Sequence, residues 1–140
     1  MIDKGLVIDR LSRIREYLKF LRELAFLSRQ EFLNDNKNYG SGARTLQIAI
    51  EACLDIGHHI ISRKELRRPK DYKDIFIILG DEKILPFDFS RSLVKMAQYR
   101  NRLVHLYWEI SPVEIFNILQ NQLSDIEDFS RHIAEFLELQ

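Results

Sequence analysis

The chain has 140 residues, of which 46% are hydrophobic and 30% charged, a composition typical of one globular domain. Twenty-one basic and twenty-one acidic residues give a formal net charge of zero, so a nucleic-acid site must be a local patch rather than a basic surface. The single cysteine, Cys53, excludes an intrachain disulfide and fits a reducing compartment. We therefore expect one cytoplasmic domain over residues 1–140, without a signal peptide or a membrane span.

Apolar residues recur at a spacing of three and four along most of the chain, which indicates amphipathic helices. This spacing predicts four long helices, at residues 3–33, 43–61, 89–104 and 112–137. A short helix follows Asp71 and ends at Gly80-Asp81. The fold class predicted is all-α, an up-down bundle of four long helices plus one short helix.

Several local signals mark the ends of these helices. Residues 34–42 are rich in asparagine and glycine, which predicts a loop with Tyr39 in a solvated turn. Asp88 or Ser90 is expected to cap the fourth helix. Ser111-Pro112-Val113-Glu114 is a strong start signal, with serine at the N-cap, proline at the first helical position and glutamate at the third.

The second helix carries an apolar face and, opposite it, a continuous polar stripe. The stripe is either a solvated face or the lining of a cleft or subunit interface, and it comprises Arg44, Gln47, Glu51, Asp55 and His58. Directly after this helix comes the only cluster of basic residues: Arg63, Lys64, Arg67, Arg68 and Lys70. These side chains either complement the helix dipole or contact the phosphates of a nucleic acid.

The segment Arg100–Tyr107 is the most informative part of the chain. Arg100 lies on the apolar stripe of the fourth helix, and a guanidinium is seldom buried there unless it faces an anion, a carboxylate or a polar cleft. In a straight helix, Arg100 and His105 would lie about 140° apart and His105 and Tyr107 about 160° apart. The β-branched and aromatic residues that follow predict that the helix unwinds near His105. An extended segment there would place His105 and Tyr107 on one face, near Arg100.

The motif Arg100-(Asn-Arg-Leu-Val)-His105-Leu-Tyr107 resembles the signature of the HepT-like branch of the HEPN superfamily, including the polar residue Asn101 after the arginine. The stretch from Arg44 to His59 resembles the second helix of that family. Pro69, Tyr72 and Phe76 resemble its short third segment, so the resemblance covers nearly the whole chain.

This resemblance implies a homodimeric ribonuclease toxin whose two motifs meet in a cleft that admits RNA. It also implies a partner, a minimal nucleotidyltransferase (MNT) antitoxin that silences the toxin by attaching AMP to Tyr107. We expect no metal ion or cofactor, because RNA can be cut by its own 2′-hydroxyl when a histidine moves the protons and a cation stabilises the phosphorane. His105 and Arg100 supply these groups, Asn101 can orient the phosphate or the imidazole, and Glu51 and Asp55 can position them.

Two other interpretations stay open at this point. One is a HEPN module that binds nucleotide or docks a nucleotidyltransferase without cutting RNA, in which Arg100 and His105 bind phosphate. Taken singly, moreover, Arg100 can be a buried ion-pair partner and His105 a helix C-cap. Alternatively, Glu51, Asp55, His58 and His59 offer metal-ligand types on adjacent turns of the second helix. Metal-binding bundles, however, use Glu-x-x-His from two helices, and this chain has one Asp-x-x-His.

Overall fold

A computed structural model describes residues 1–139 and confirms the all-α class. In these residues the elements follow one another as α1 (Lys4–Phe26), α2 (Arg29–Leu33), α3 (Asn36–Arg63), α4 (Tyr72–Asp81), α5 (Phe87–Ser92), α6 (Val94–His105), a 3₁₀ turn (Tyr107–Glu109), α7 (Pro112–Asn121) and α8 (Leu123–Phe136). Among them, no helix combines the length and the apolar character that a membrane crossing needs.

Helix α3 is the centre of the bundle and packs against α1, α4, α6, α7 and α8. Its buried residues include the predicted apolar face, namely Leu46, Ile50, Cys53, Leu54, Gly57 and Ile61. A Cβ atom at Gly57 would lie 2.5 Å from Cγ2 of Ile75, so the glycine permits the close approach of α4 to α3. Burial in this core raises the pKa of the Cys53 thiol well above its ordinary value.

The continuous first helix predicted for residues 3–33 is wrong, because the chain breaks at Leu27 and Ser28. Leu27 is extended, and the Ser28 hydroxyl accepts a hydrogen bond from the backbone N–H of Glu31. The Glu31 carboxylate in turn accepts from the backbone N–H of Ser28, which completes a capping box. The sequence Ser28-Arg-Gln-Glu31 carries this signal, and it starts a new helix inside an otherwise regular apolar pattern.

The predicted loop at residues 34–42 is also wrong, since α3 begins at Asn36 and Asp35 caps it. Tyr39 is not in a solvated turn: it is half-buried, and its hydroxyl donates a hydrogen bond of 2.8 Å to the carbonyl of Ile110. The asparagine and glycine residues of this stretch thus enter a helix because tertiary contacts outweigh their weak helix propensity.

The second half of the chain contains two further breaks. Helix α5 starts at Phe87 without a side-chain cap, and the buried Ser90 donates to the carbonyl of Phe87, so the predicted caps at Asp88 and Ser90 are wrong. The predicted helices 89–104 and 112–137 are interrupted, one at Leu93 and the other at Gln122. The predicted start is confirmed, since the Ser111 hydroxyl accepts from the backbone N–H of Glu114.

Candidate active site

Arg100 is held on α6 by three neighbours, and its side chain is only 14% exposed. Its Nε donates to Oε2 of Glu51 at 3.0 Å, and its Nη1 donates to Oδ1 of Asn101 at 3.3 Å. The guanidinium also lies over the ring of Tyr72, with Cζ 4.5 Å from the ring centroid. Arg100 lies among apolar residues and needs a polar partner. That partner is the carboxylate of Glu51 on α3, 49 residues earlier in the chain.

Helix α6 ends at His105, as predicted, but the residues after it are not extended. Leu106 has φ −136° and ψ 32°, and its N–H donates to the carbonyl of Arg102 before the 3₁₀ turn Tyr107–Glu109 begins. The expectation of an extended segment that aligns His105 with Tyr107 is therefore wrong. Among the hydrogen bonds and ion pairs of residues 1–139, none joins any two of Arg100, His105 and Tyr107.

His105 instead lines a cleft of about 610 Å³ between the end of α6, the start of α4 and the segment 64–71. Most of its exposed wall is apolar, but several lining residues carry polar or charged groups, namely His58, Arg68, Lys70, Asp71, Tyr72, Asn101, Arg102 and His105. Tyr72 and Asn101 both contact Arg100, so Arg100 lies directly behind the wall of this cleft. The cleft thus gathers two imidazoles, an amide, a phenol, a carboxylate and cations next to the fixed guanidinium of Arg100.

Two of the five basic residues of the predicted basic cluster, Arg68 and Lys70, line the cleft. A third, Arg67, forms a bidentate ion pair with Asp74, with N–O distances of 2.7 and 2.8 Å. Asp74 also accepts a hydrogen bond of 2.9 Å from the backbone N–H of Lys70. The hydrogen bonds from Arg67 lower the pKa of Asp74 to about 2. This pair therefore anchors the segment that carries Arg68 and Lys70.

The two remaining basic residues lie away from the cleft. Arg63 donates a hydrogen bond of 3.2 Å to the carbonyl of Met1, and Nζ of Lys64 lies 5.7 Å from the ring centroid of Phe136. Neither residue is among those that line the cleft. The basic cluster is therefore divided between a structural part and a part that faces the candidate site.

Tyr107 protrudes at the edge of this region and is 61% exposed. Its ring packs edge-on against Trp108, with centroids 5.8 Å apart, and both rings remain largely exposed. The hydroxyl of Tyr39 fixes the carbonyl of Ile110 and thereby the end of the 3₁₀ turn. The backbone at Tyr107 is thus anchored while its phenol group faces solvent.

The residues of the metal interpretation have separate partners. Glu51 contacts Arg100, whereas Asp55 lies 3.7 Å from Arg10 and contacts neither Arg100 nor His105. His59 accepts a hydrogen bond of 3.0 Å from the backbone N–H of Asp3. Within the part of the chain that the structure describes, no group of three or more histidine, cysteine, aspartate or glutamate side chains is placed to hold a metal ion.

Two ion pairs that build this site were not predicted from the sequence. One is Arg67–Asp74, in which the aspartate is buried at the first turn of α4. The other joins α6 to α7, because both terminal nitrogens of Arg102 contact the carboxylate of Glu114. Glu114 was identified only as part of a helix start signal, and the sequence carries no local sign of its partner.

The fold and the cleft define an all-α domain whose polar site lies at the end of one helix. The sequence profile of the ribonuclease HepT-like family matches residues 14–133, and the chain belongs to this family. The predicted resemblance and the predicted enzyme class, a ribonuclease, are therefore confirmed.

Individual relatives agree with this assignment. The chain is 30% identical over 138 residues to the tRNA nuclease HepT of Aphanizomenon flos-aquae, covering 97% of this chain and 92% of that protein. It is 28% identical over 124 residues to the mRNA nuclease HepT of Shewanella oneidensis, covering 89% and 92%. Its structure superposes with a TM-score of 0.85 on the tri-AMPylated Shewanella oneidensis HEPN toxin in complex with the MNT antitoxin, at 28% identity, covering 96% of this chain and 99% of that one.

Proposed function

We propose that this protein is a metal-independent endoribonuclease and the toxin of a toxin–antitoxin pair. The observation that carries the proposal is the cleft in which His105 and Asn101 face two cations, Arg68 and Lys70, with Arg100 fixed behind the wall. In the proposed reaction the 2′-hydroxyl of RNA attacks the adjacent phosphorus and the 5′-oxygen leaves. The products are a 2′,3′-cyclic phosphate and a 5′-hydroxyl.

His105 is the proposed proton-transfer group. Its side chain is exposed in the cleft, and among residues 1–139 its imidazole makes no hydrogen bond that would occupy it. An imidazole can accept and donate protons near neutral pH, which both the attack and the departure steps require. One protomer supplies a single His105, so we propose a homodimer in which two such groups serve as base and acid.

Arg100 is the proposed stabiliser of the charge that develops on the phosphorane. Glu51 and Asn101 engage its Nε and Nη1, and within residues 1–139 its Nη2 makes no hydrogen bond. In the proposed complex, a phosphate oxygen reaches this Nη2 at the wall formed by Tyr72 and Asn101. A guanidinium that is already fixed in place needs little reorganisation when the charge appears. Glu51 is then a positioning residue, whereas Asp55 has no contact in this structure that would give it that role.

Arg68 and Lys70 are the proposed contacts to neighbouring phosphates of the substrate. Both line the cleft, and no ion pair within residues 1–139 neutralises either of them. Arg102 also lines the cleft, but Glu114 compensates its charge. Arg68 and Lys70 therefore place positive charge beside His105, where RNA has to bind, while the Asp71 carboxylate in the same cleft pairs with Lys73.

Tyr107 is the proposed site of regulation by an MNT-type nucleotidyltransferase antitoxin. Its phenol is exposed, so the oxygen can attack the α-phosphorus of ATP, form a tyrosyl–AMP phosphodiester and release pyrophosphate. The similarity to a tri-AMPylated toxin in complex with its MNT antitoxin supports this assignment. Intact-mass measurement after co-expression with the antitoxin should show additions of AMP, and Tyr107→Phe should block the first one.

Cleavage of a short RNA in excess chelator tests the nuclease itself. His105→Ala and Arg100→Ala should each lower the rate by about 10²–10³-fold or more, whereas Arg131→Ala, which removes an exposed arginine on α8, should not. A 2′-deoxy substitution at the cleaved position should abolish product formation. Unchanged cleavage by both site variants would refute the proposal, and binding of RNA without cleavage by the natural protein would favour a non-catalytic module.

A further inference from the structure

Tyr72 occupies an unusual position at the first turn of α4. It lines the candidate active-site cleft and also an adjoining depression of about 450 Å³, so its ring stands between the two. His58 and Ile75 are the other residues shared by both cavities. The cleft therefore continues past Tyr72 as a second compartment.

The ring of Tyr72 is held in place without being buried. The guanidinium of Arg100 lies over the ring, yet the residue remains 43% exposed. A cation against an aromatic ring stabilises a particular ring orientation. The tyrosine hydroxyl makes no hydrogen bond within residues 1–139. The structure thus presents a fixed aromatic surface to the cleft, and the mechanism proposed above does not use it.

The groups around this ring are those that bind a nucleobase. Ile75 is buried and supplies an apolar contact, whereas His58 and Asn101 offer hydrogen-bonding groups. Arg68 and Lys70 lie in the same cleft and can contact the flanking phosphates. Proteins recognise single-stranded RNA by stacking splayed bases on aromatic rings between such cations.

We propose that Tyr72 is the stacking platform for one unpaired base next to the scissile phosphate, with His58 at the edge of that base. Because it assigns a substrate class to the proposed nuclease, this inference rests on the proposed function. The substrate is then single-stranded RNA, since a base inside a duplex stacks on its neighbours and presents no free face to a protein ring.

A double-mutant cycle between protein and RNA distinguishes two roles of Tyr72: stacking on a base, or only holding Arg100 in place. One RNA is intact, and a matched set carries an abasic residue at either side of the cleaved bond. On the intact RNA, Tyr72→Leu should lower kcat/KM by about 5- to 100-fold, while Tyr72→Phe, which keeps the ring, should be near the natural protein. On the abasic RNA that lacks the stacked base, kcat/KM of the natural protein should fall by a similar factor. Tyr72→Leu should lower kcat/KM no further on that RNA.

A matched control is available at the start of α5. Phe87 is 56% exposed, and Cζ of Arg91 lies 4.1 Å from the centroid of the Phe87 ring. Phe87→Leu therefore removes an aromatic ring that contacts an arginine but does not line the cleft. This variant should leave kcat/KM unchanged on both RNAs. Circular dichroism melting of each variant verifies that the compared proteins are folded.

The outcomes distinguish this inference from the proposed function. If Tyr72→Leu loses the same factor on intact and abasic RNA, the ring only supports Arg100 and the inference is overturned. Fluorescence anisotropy in a His105→Ala background measures RNA binding without cleavage. If the natural protein does not cut RNA but this binding still depends jointly on Tyr72 and the base, the proposed function fails and the stacking site stands. If RNA binding depends on neither Tyr72 nor the base, the proposed stacking is refuted.

Discussion

Replacement of Asp74 by asparagine should weaken both the fold and the binding of RNA. The Asp74 side chain is only 10% exposed, and it accepts two hydrogen bonds from Arg67 and one from the backbone N–H of Lys70. An asparagine at this position would keep the shape of the side chain but lose its charge and one carboxylate oxygen. Because the segment 64–71 carries Arg68 and Lys70 into the cleft, its loosening should reach the proposed RNA site.

The size of this effect follows from the pKa of Asp74. Arg67 lowers that pKa to about 2, whereas an unfolded aspartate titrates near 3.9, a difference worth at most ~2.6 kcal/mol at neutral pH. Arg67 is 49% exposed, so solvent screening reduces the expected loss to about 1–2 kcal/mol. For a chain of this length, such a loss lowers the melting temperature by roughly 3–8 °C.

The same pKa determines the pH dependence of the effect. Because the folded pKa of Asp74 lies below its unfolded value, the stabilisation is fully present above about pH 4–5. It is lost progressively as the pH falls below about 4, because the carboxylate is protonated first in the unfolded state and, around pH 2 and below, also in the folded state. The difference in unfolding free energy between the natural protein and Asp74→Asn should therefore be constant near neutrality and shrink across this acidic window.

Urea denaturation at pH 7 and at several acidic values measures this difference. Asp128→Asn is a matched control, because Asp128 pairs with Arg131 at 3.3 Å on the exposed surface of α8 and should contribute less than about 1 kcal/mol. RNA binding, measured in a His105→Ala background, should weaken for Asp74→Asn but not for the control. Equal stabilities of the natural protein and Asp74→Asn at pH 7, or a difference that persists unchanged to pH 2, would refute this reasoning.

Three further perturbations test separate parts of the structure. Glu51→Gln retains an acceptor for Arg100 and should reduce kcat by roughly 3- to 10-fold, whereas Glu51→Ala should reduce it more, as measured by RNA cleavage at saturating substrate. Gly57→Ala should destabilise the fold by about 1–3 kcal/mol in urea denaturation, because its Cβ would clash with Ile75. Burial is the main reason why the pKa of His59 is lowered in the folded protein. The free energy of unfolding should therefore fall as the pH drops below about 6.5, the pKa of an unfolded histidine, and His59→Gln should not show this loss in melting experiments.

Different results would contradict each of these expectations. A faster reaction in Glu51→Gln would show that the carboxylate opposes Arg100 instead of positioning it. Natural stability in Gly57→Ala would mean that α3 and α4 can separate without cost. If the natural protein and His59→Gln lose stability in parallel between pH 7 and pH 5, then another group governs that transition.

Local patterns in the sequence were sufficient for much of the fold and for the core of the motif. The 3–4 spacing of apolar residues placed α1, α3 and the last helices, since a helix that buries one face must repeat with this period. Ser111-Pro112 marked the start of α7 because its capping bonds involve only neighbouring residues. The end of α6 at His105 was predicted correctly, but the geometry of the residues beyond it was not.

The breaks inside the long helices were harder to predict, because an apolar stripe can continue across an interruption. At Ser28 a readable capping box was present and was outweighed by the regular pattern around it. At Leu93 and Gln122 no side-chain cap marks the new helix. Residues near Tyr39 look like a turn by composition, and only the hydrogen bond of Tyr39 to the carbonyl of Ile110 shows why they are structured.

The sequence by itself determined an all-α chain and the presence of Arg100, His105 and Tyr107 at a recognisable spacing. It also showed that Arg100, on an apolar stripe, needs a polar partner. Only the tertiary structure decided that this partner is Glu51 and that Tyr72 covers the guanidinium. These contacts join residues that are far apart in the chain, and the packing of α3, α4 and α6 creates them. A cleft exists only where such elements meet, so no local pattern could have specified its wall.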